Sequence, residues 1–160
     1  LKLNLGCNSI YLGDYVNVEV NPEFKADVYH DLREPLPFPS ECAEEVLLSH
    51  VLEHLYYSDG AKLISEIHRV LKTGGLLRVN VPNMLWIAQL ILTVEDHPLE
   101  KTSPFTLMYG MTNAYGAQDQ SIWQTHRSGY TPKLLREKLS QFSKYEEEYV
   151  YHEIRAKAWK

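Results

Sequence analysis

Apolar residues follow two rhythms along this chain. Short runs that are apolar throughout, or alternate with period two, occur at Leu1–Leu5, Tyr15–Val20, Ala26–His30, Glu44–Ser49 and Leu76–Val81. Each is closed by a turn or breaker: Gly6, Asn21-Pro22, Asp31, His50 and Pro82. Such runs predict strands. A helical rhythm lies between the fourth and fifth, where Leu63, Ile64, Ile67, Val70 and Leu71 form one stripe. Ser58 and Asp59 supply its capping oxygens and Gly74-Gly75 its stop. A second helix is predicted after Thr131-Pro132, an N-cap with proline at the first helical position, and it carries Leu135, Leu139 and Phe142 on one face. Tyr145–Tyr151 and Glu153–Trp159 alternate like strands, with a turn near His152.

Strand and helix alternate for most of the length, which predicts an α/β layered fold on a mainly parallel sheet with an antiparallel last strand. Only about nine residues separate Gly6 from the second strand, whereas a parallel crossover takes a dozen or more. The first crossover helix is therefore expected to be abbreviated. Arg33 to Ser40 holds Pro35, Pro37 and Pro39 and reads as a rigid surface loop. The chain reads as a single domain, 1–160, interrupted by an irregular insertion at about 84–129. Met84–Val94 within it suits a helix, but His97-Pro98, Ser103-Pro104, Gly110, Asn113 and Gly116 break the pattern. Its aromatic content fits either a second small core over the sheet edge or a lid over an acceptor pocket.

Composition narrows the partners. The 160 residues are 44% hydrophobic and 23% charged, with a formal net charge of -5. That balance lacks the basic face that nucleic-acid binding needs, which leaves only a local group at Arg127, Lys133, Arg136 and Lys138. Cys7 and Cys42 make no disulfide framework and fit a reducing, cytoplasmic compartment, with Cys7 a small residue that suits its turn. No apolar run approaches the roughly 20 residues of a membrane span, and no signal peptide is visible. Leu1 already lies within a strand pattern, so residues upstream are expected to be missing.

In an open parallel sheet, ligands lie beyond the carboxyl ends of the strands, near the switch in strand order. The predicted strands place Gly6, Cys7, Asn8 and Ser9 there, with Glu19 and Val20, Asp31 and Leu32, Ser49 and His50, and Asn83. Glu19 suits ribose hydroxyls, Asp31 an adenine amino group, and the amides of Cys7 to Ser9 a carboxylate or phosphate. The plainer alternative is that Asp31 caps a turn and Glu19 is solvated. His50-Val51-Leu52-Glu53-His54 also fits H-x-x-E-H, a zinc-hydrolase pattern in which His50 and His54 bind metal and Glu53 acts as base. Context opposes it, because the motif follows a buried strand and has no third ligand marked; no metal is assigned. His126 and Arg127, just before the capped helix, read either as surface residues or as acceptor contacts with His126 a base.

LNLGC at 3–7, VNVEV at 16–20, ADVYHDL at 26–32, PLPFP at 35–39, LLSHVLEHL at 47–55, EIHRVLKTGGLLRVNVPN at 66–83 and TPKLLREKL at 131–139 together resemble the class I S-adenosylmethionine-dependent methyltransferases of the type 11 kind. The resemblance covers about 1–83 and 126–159. It implies a Rossmann-like, doubly wound sheet of seven strands with an antiparallel last strand. It also implies S-adenosyl-L-methionine as cofactor, cradled by Gly6, Cys7, Asn8, Glu19, Val20, Asp31, Leu32, Ser49 and His50. The family's glycine loop reads G-x-G, and Asn8 stands at its second glycine; Asn tolerates the left-handed backbone better than most residues. The implied reaction is in-line transfer of a methyl group to a small-molecule acceptor, with His126 and His50 as candidate bases. Two other classes remain as alternatives: a non-catalytic binding module that retains the fold, and the zinc hydrolase. Oligomeric state is not legible.

Overall fold

The computed structural model describes residues 1–93, 104–110 and 124–160. Seven strands form one sheet: β1 (Lys2–Leu5), β2 (Val16–Glu19), β3 (Val28–Tyr29), β4 (Ala43–Ser49), β5 (Leu71–Pro82), β6 (Lys144–Val150) and β7 (Glu153–Trp159). Their order is β3-β2-β1-β4-β5-β7-β6. The pairs among β1 to β5 are parallel, and β7 runs antiparallel to both β5 and β6. The order reverses between β1 and β4, so the crevice at their carboxyl ends is the switch point of the sheet.

Side-chain alternation puts Leu3, Leu5, Val18, Val46, Leu48, Leu77, Val79, Val81, Ile154, Ala156 and Ala158 into one core. Joining them are Leu63, Ile64, Ile67 and Val70 of helix α1 (Tyr57–Val70), which are the stripe read from the sequence. The other sheet face is charged, and its ion pairs close between neighbours: Arg78 with Glu45 at 2.7 Å and Lys144 with Glu146 at 2.6 Å. Among the described residues of the 84–129 stretch are the helices α2 (Met84–Thr93) and α3 (Pro104–Tyr109). The remainder of that insertion, 94–103 and 111–123, lies outside the described residues. Helix α4 (Pro132–Lys138) begins as expected, with Thr131 Oγ1 accepting from the Leu134 amide at 3.3 Å.

Two local expectations are corrected. Helix α1 is preceded by Tyr56, whose side chain makes no cap bond; Ser58 and Asp59 lie inside the first turn, where Asp59 faces the positive helix end and pairs with Lys62 at 3.1 Å. The helix also stops before Gly74-Gly75. Leu71 already adopts extended backbone and pairs with Ala43, after which the register jumps to Glu45 opposite Leu76. The glycines form this bulge, Gly74 with φ +77°, because a Cβ on Gly75 would lie 2.8 Å from the Lys72 carbonyl oxygen.

The first crossover contains no helix, in line with the abbreviated connection read from the sequence. Polar side chains do the work of a helix's apolar face. Asn4 Nδ2 donates to Asn17 Oδ1 at 3.0 Å and to the Ile10 carbonyl at 2.9 Å. Asn17 in turn donates to the Leu12 and Tyr15 carbonyls and to Asp27, while its Oδ1 accepts the Leu12 amide. Both asparagines are buried, at 4% and 0% exposure, so each bond replaces water that the group has lost.

Candidate active site

The turn after β1 is built on Gly6 at φ +68°, with Asn8 also left-handed at φ +47°. A Cβ on Gly6 would approach Val51 Cγ2 to 2.6 Å, so glycine serves both the backbone shape and the close packing of this turn on the β4 end. The amides here are taken within the chain. Gly6 and Cys7 donate to the Val18 carbonyl at 2.8 and 3.0 Å, Asn8 to Glu19 Oε2 at 2.8 Å, and Ser9 to Asn8 Oδ1 at 2.6 Å. Asn8 thus folds its side chain onto its own turn. Burial pushes the Cys7 thiol up, which keeps it protonated and fits a packing role.

Glu19 is 7% exposed and not solvated. Its Oε1 accepts the amides of Val20 and Asn21 at 2.9 and 3.0 Å, and Oε2 accepts Asn8. A carboxylate offers about four acceptor positions, so these three bonds leave one at Oε2 for a ligand hydroxyl. Asp31 does cap a turn: its Oδ1 accepts the Arg33 amide at 2.9 Å, and its carboxylate pairs with the Arg33 guanidinium. That pairing holds its carboxyl below the ordinary range. Leu32 is buried beside Gly6, Ser49 Oγ accepts from Asn80 at 3.1 Å, and Asn83 caps α2 through the Leu85 and Trp86 amides.

At the end of β4, His50 turns left-handed at φ +54° and lies between two carboxylates. Nδ1 is 3.1 Å from Glu53 Oε1 and Nε2 is 3.1 Å from Glu153 Oε1. The bond to Glu53 raises its pKa, so the charged imidazolium is favoured. A single 3-10 turn, Leu52–His54, follows. It buries Glu53 to 1% exposure and sets His54 edge-on to His126, ring centroids 4.9 Å apart. Burial pushes both of these imidazoles down, leaving them neutral near pH 7. The segment carrying His126 is fastened to the turn: the Arg127 and Ser128 amides donate to the Glu53 carbonyl at 2.7 and 3.1 Å, and Ser128 Oγ to the Leu52 carbonyl at 3.0 Å.

The structure therefore gathers Glu53 and His54 with His126, while His50 points its nitrogens to Glu53 and Glu153. The set His50, Glu53, His54 does not converge as the hydrolase pattern requires. Glu153, Ser128 and the Asn4–Asn17 pair were not singled out from the sequence. For the asparagines a signal was present, a polar residue recurring inside an otherwise apolar strand; for Glu153, 103 residues from His50, there was none. A broad concavity also lies on the charged sheet face, lined by Lys2, Glu45, Arg78, Glu148 and Lys157 among others. Arg78 pairs there with Glu45 and Lys2 with Asp14; the concavity lies on the face of the sheet and away from the switch point, so the strand-end crevice is the stronger site.

Strand order and the antiparallel β7 define a Rossmann-like α/β fold on a mainly parallel seven-stranded sheet. The methyltransferase domain family matches residues 7–79. A probable S-adenosylmethionine-dependent methyltransferase of Mycolicibacterium smegmatis is 36% identical over 61 residues, which cover 38% of this chain and 23% of that protein. The aligned stretch thus spans under a quarter of that curated relative. In fold, the chain is similar to a SAM-dependent methyltransferase from Archaeoglobus fulgidus, with a TM-score of 0.70 at 16% identity, covering 99% of this chain and 85% of that one. It is also similar to a Thermotoga maritima protein described as a possible histamine N-methyltransferase, with a TM-score of 0.65 at 13% identity, covering 99% and 81%. Over residues 7–79 the chain therefore resembles the S-adenosylmethionine-dependent methyltransferases, a family whose cofactor is S-adenosylmethionine. No helix among the described residues is long and apolar enough to cross a membrane.

Proposed function

We propose that this protein transfers a methyl group from S-adenosylmethionine to a small-molecule acceptor. The observation that carries the reading is Glu19, which joins the Gly6 turn to the end of β2 at the switch point and keeps one acceptor position open. That position suits a ribose hydroxyl. Asp31, ionised by Arg33, and the buried Leu32 would line the adenine side, with Ser49 and His50 closing the crevice toward β4. When bound, the cofactor supplies an electrophilic methyl on a sulfonium leaving group. The chain's own task is then alignment and exclusion of water, with a base wherever the acceptor carries a proton.

His126 suits that base better than His50. Its imidazole is neutral because burial lowers its pKa, whereas His50 is held toward the imidazolium form by Glu53. Calorimetric titration with S-adenosylmethionine and S-adenosylhomocysteine tests the proposal. Saturable binding of both is expected, and absence of binding would sink it. A second reading, a non-catalytic binding module, is favoured by the internal engagement of the Cys7, Asn8 and Ser9 amides. Cofactor that binds but is never consumed with any of a panel of hydroxyl, amine and carboxylate acceptors supports that second reading.

A further inference from the structure

Glu53 poses a problem of charge burial. Its carboxylate is 1% exposed; Oε1 is held by His50, and Oε2 has no hydrogen-bond partner. A buried carboxylate oxygen without a partner is costly unless something cationic meets it. His54 and His126 stand beside this carboxylate, and one ligand atom from each of the three residues lies within 4.8 Å of the others. Ligands held about 2.0–2.2 Å from a shared ion stand up to ~4 Å apart, so small side-chain rotations bring all three onto one centre.

The surroundings favour ligation. His54 Nδ1 lies 3.4 Å from the Thr125 carbonyl oxygen and His126 Nδ1 lies 3.3 Å from that of Met108. A proton on each Nδ1 leaves Nε2 with its lone pair, the arrangement in which an imidazole binds a metal while its other nitrogen is held by a carbonyl. The two strands of chain that carry the ligands are already locked together by the Arg127 and Ser128 bonds to the 3-10 turn. Neither this clamp nor the ring pairing is demanded by the H-x-x-E-H spacing, which pointed to His50.

We propose that Glu53, His54 and His126 form a binding site for one divalent first-row transition-metal cation, Mn²⁺, Fe²⁺, Co²⁺ or Zn²⁺. Two imidazoles and one carboxylate suit these ions better than Mg²⁺ or Ca²⁺, which prefer oxygen alone. Three protein ligands leave coordination positions open. Glu53 lies two residues beyond Val51, which packs on the Gly6 turn, so the ion would stand beside the cofactor crevice. Resting on the methyltransferase reading, its open positions would hold an acceptor through hydroxyl or carboxylate oxygens, and the ion, occupying His126 Nε2, would replace that imidazole as the group that eases a hydroxyl proton away. The site's existence does not depend on that reading.

The test is calorimetric titration of the chelator-treated protein with MnCl₂ and, separately, ZnCl₂, in the absence of any cofactor. One saturable site is expected. His126→Asn and Glu53→Gln should each weaken it by more than about tenfold, the loss that even outer partners of a bound metal cause. His68→Asn, which alters a histidine packed on Phe142 away from the cluster, should leave it unchanged. Circular dichroism and urea midpoints identify any variant that fails to fold; for such a variant the Co²⁺ visible spectrum of the unmodified protein decides, with nitrogen-ligated bands expected. Absence of saturable binding, or equal binding by His126→Asn and by the unmodified protein, overturns the site. Titration with S-adenosylhomocysteine is read separately: nucleoside binding without metal binding defeats this inference alone, and metal binding without nucleoside binding defeats the methyltransferase reading alone.

Discussion

Asn4 and Asn17, on neighbouring parallel strands and directly opposite in register, share a buried hydrogen bond of 3.0 Å beneath the first crossover. The pair fixes where the chain from Ile10 to Tyr15 lies, and so the height at which the Gly6 turn meets the β2 end. Asn17→Ala strips partners from Leu12, Tyr15, Asn4 and Asp27 together. We expect it to lower unfolding free energy by about 1–3 kcal/mol, the cost of leaving buried polar groups unpaired. Urea denaturation measures this; a loss within about 0.5 kcal/mol, as for ordinary surface positions, would show that water replaces the network.

Gly6→Ala combines two penalties that can be separated. The left-handed backbone costs roughly 1–2 kcal/mol for a residue with a Cβ, and the 2.6 Å approach to Val51 adds a clash. Val51→Ala in the same chain removes the clash and leaves the backbone term. The double variant is therefore expected to recover part of the stability lost by Gly6→Ala relative to Val51→Ala alone. Full recovery would show that the backbone conformation is not strained.

Glu19→Ala is expected to weaken S-adenosylhomocysteine binding by about 1–3 kcal/mol, through the lost hydroxyl contact and the freed Asn8 amide. Unchanged affinity in calorimetry would remove Glu19 from the ribose site.

Asp27 provides the pH-dependent prediction. It accepts from the Asn17 amide, the Asn17 side chain and the Tyr11 hydroxyl, and these bonds hold its carboxyl below the ordinary aspartate value of 3.8. A group depressed in the folded state contributes stability that is complete above its unfolded pKa and lost as pH falls through the folded one. Urea midpoints for the natural chain and for Asp27→Asn should therefore differ by a constant amount at neutral pH. The two should converge in acid below the ordinary aspartate range. A difference that persists unchanged into strong acid would contradict the carboxylate's role.

The sequence made the sheet legible because its strands advertise themselves by alternation and its turns by Gly6, Pro22, Pro82 and Thr131-Pro132. Strand ends, and with them Glu19, Asp31 and His50, followed from that pattern. What the side chains do at those ends did not follow. Asp31 is occupied by Arg33, two residues away, and His50 by Glu53 and Glu153, because short polar groups near a turn satisfy one another before any ligand arrives. The end of α1 was misplaced because Gly74-Gly75 stops a helix and shapes a bulge equally well. His126 was found as a lone candidate, but its meeting with Glu53 and His54 depends on a return of the chain that no spacing rule announces.

The bond from His50 to Glu153 has a consequence for how this molecule can be divided. Residues 7–79 carry the family match, yet the wall opposite Glu19 is completed by the start of β7 and by the segment around His126. A fragment ending after β5 would keep most signatures by which the protein is recognised and would leave the crevice open on one side. Recognition and enclosure are thus written in different parts of the chain, and only the return of its last third makes a recognisable sequence into a container.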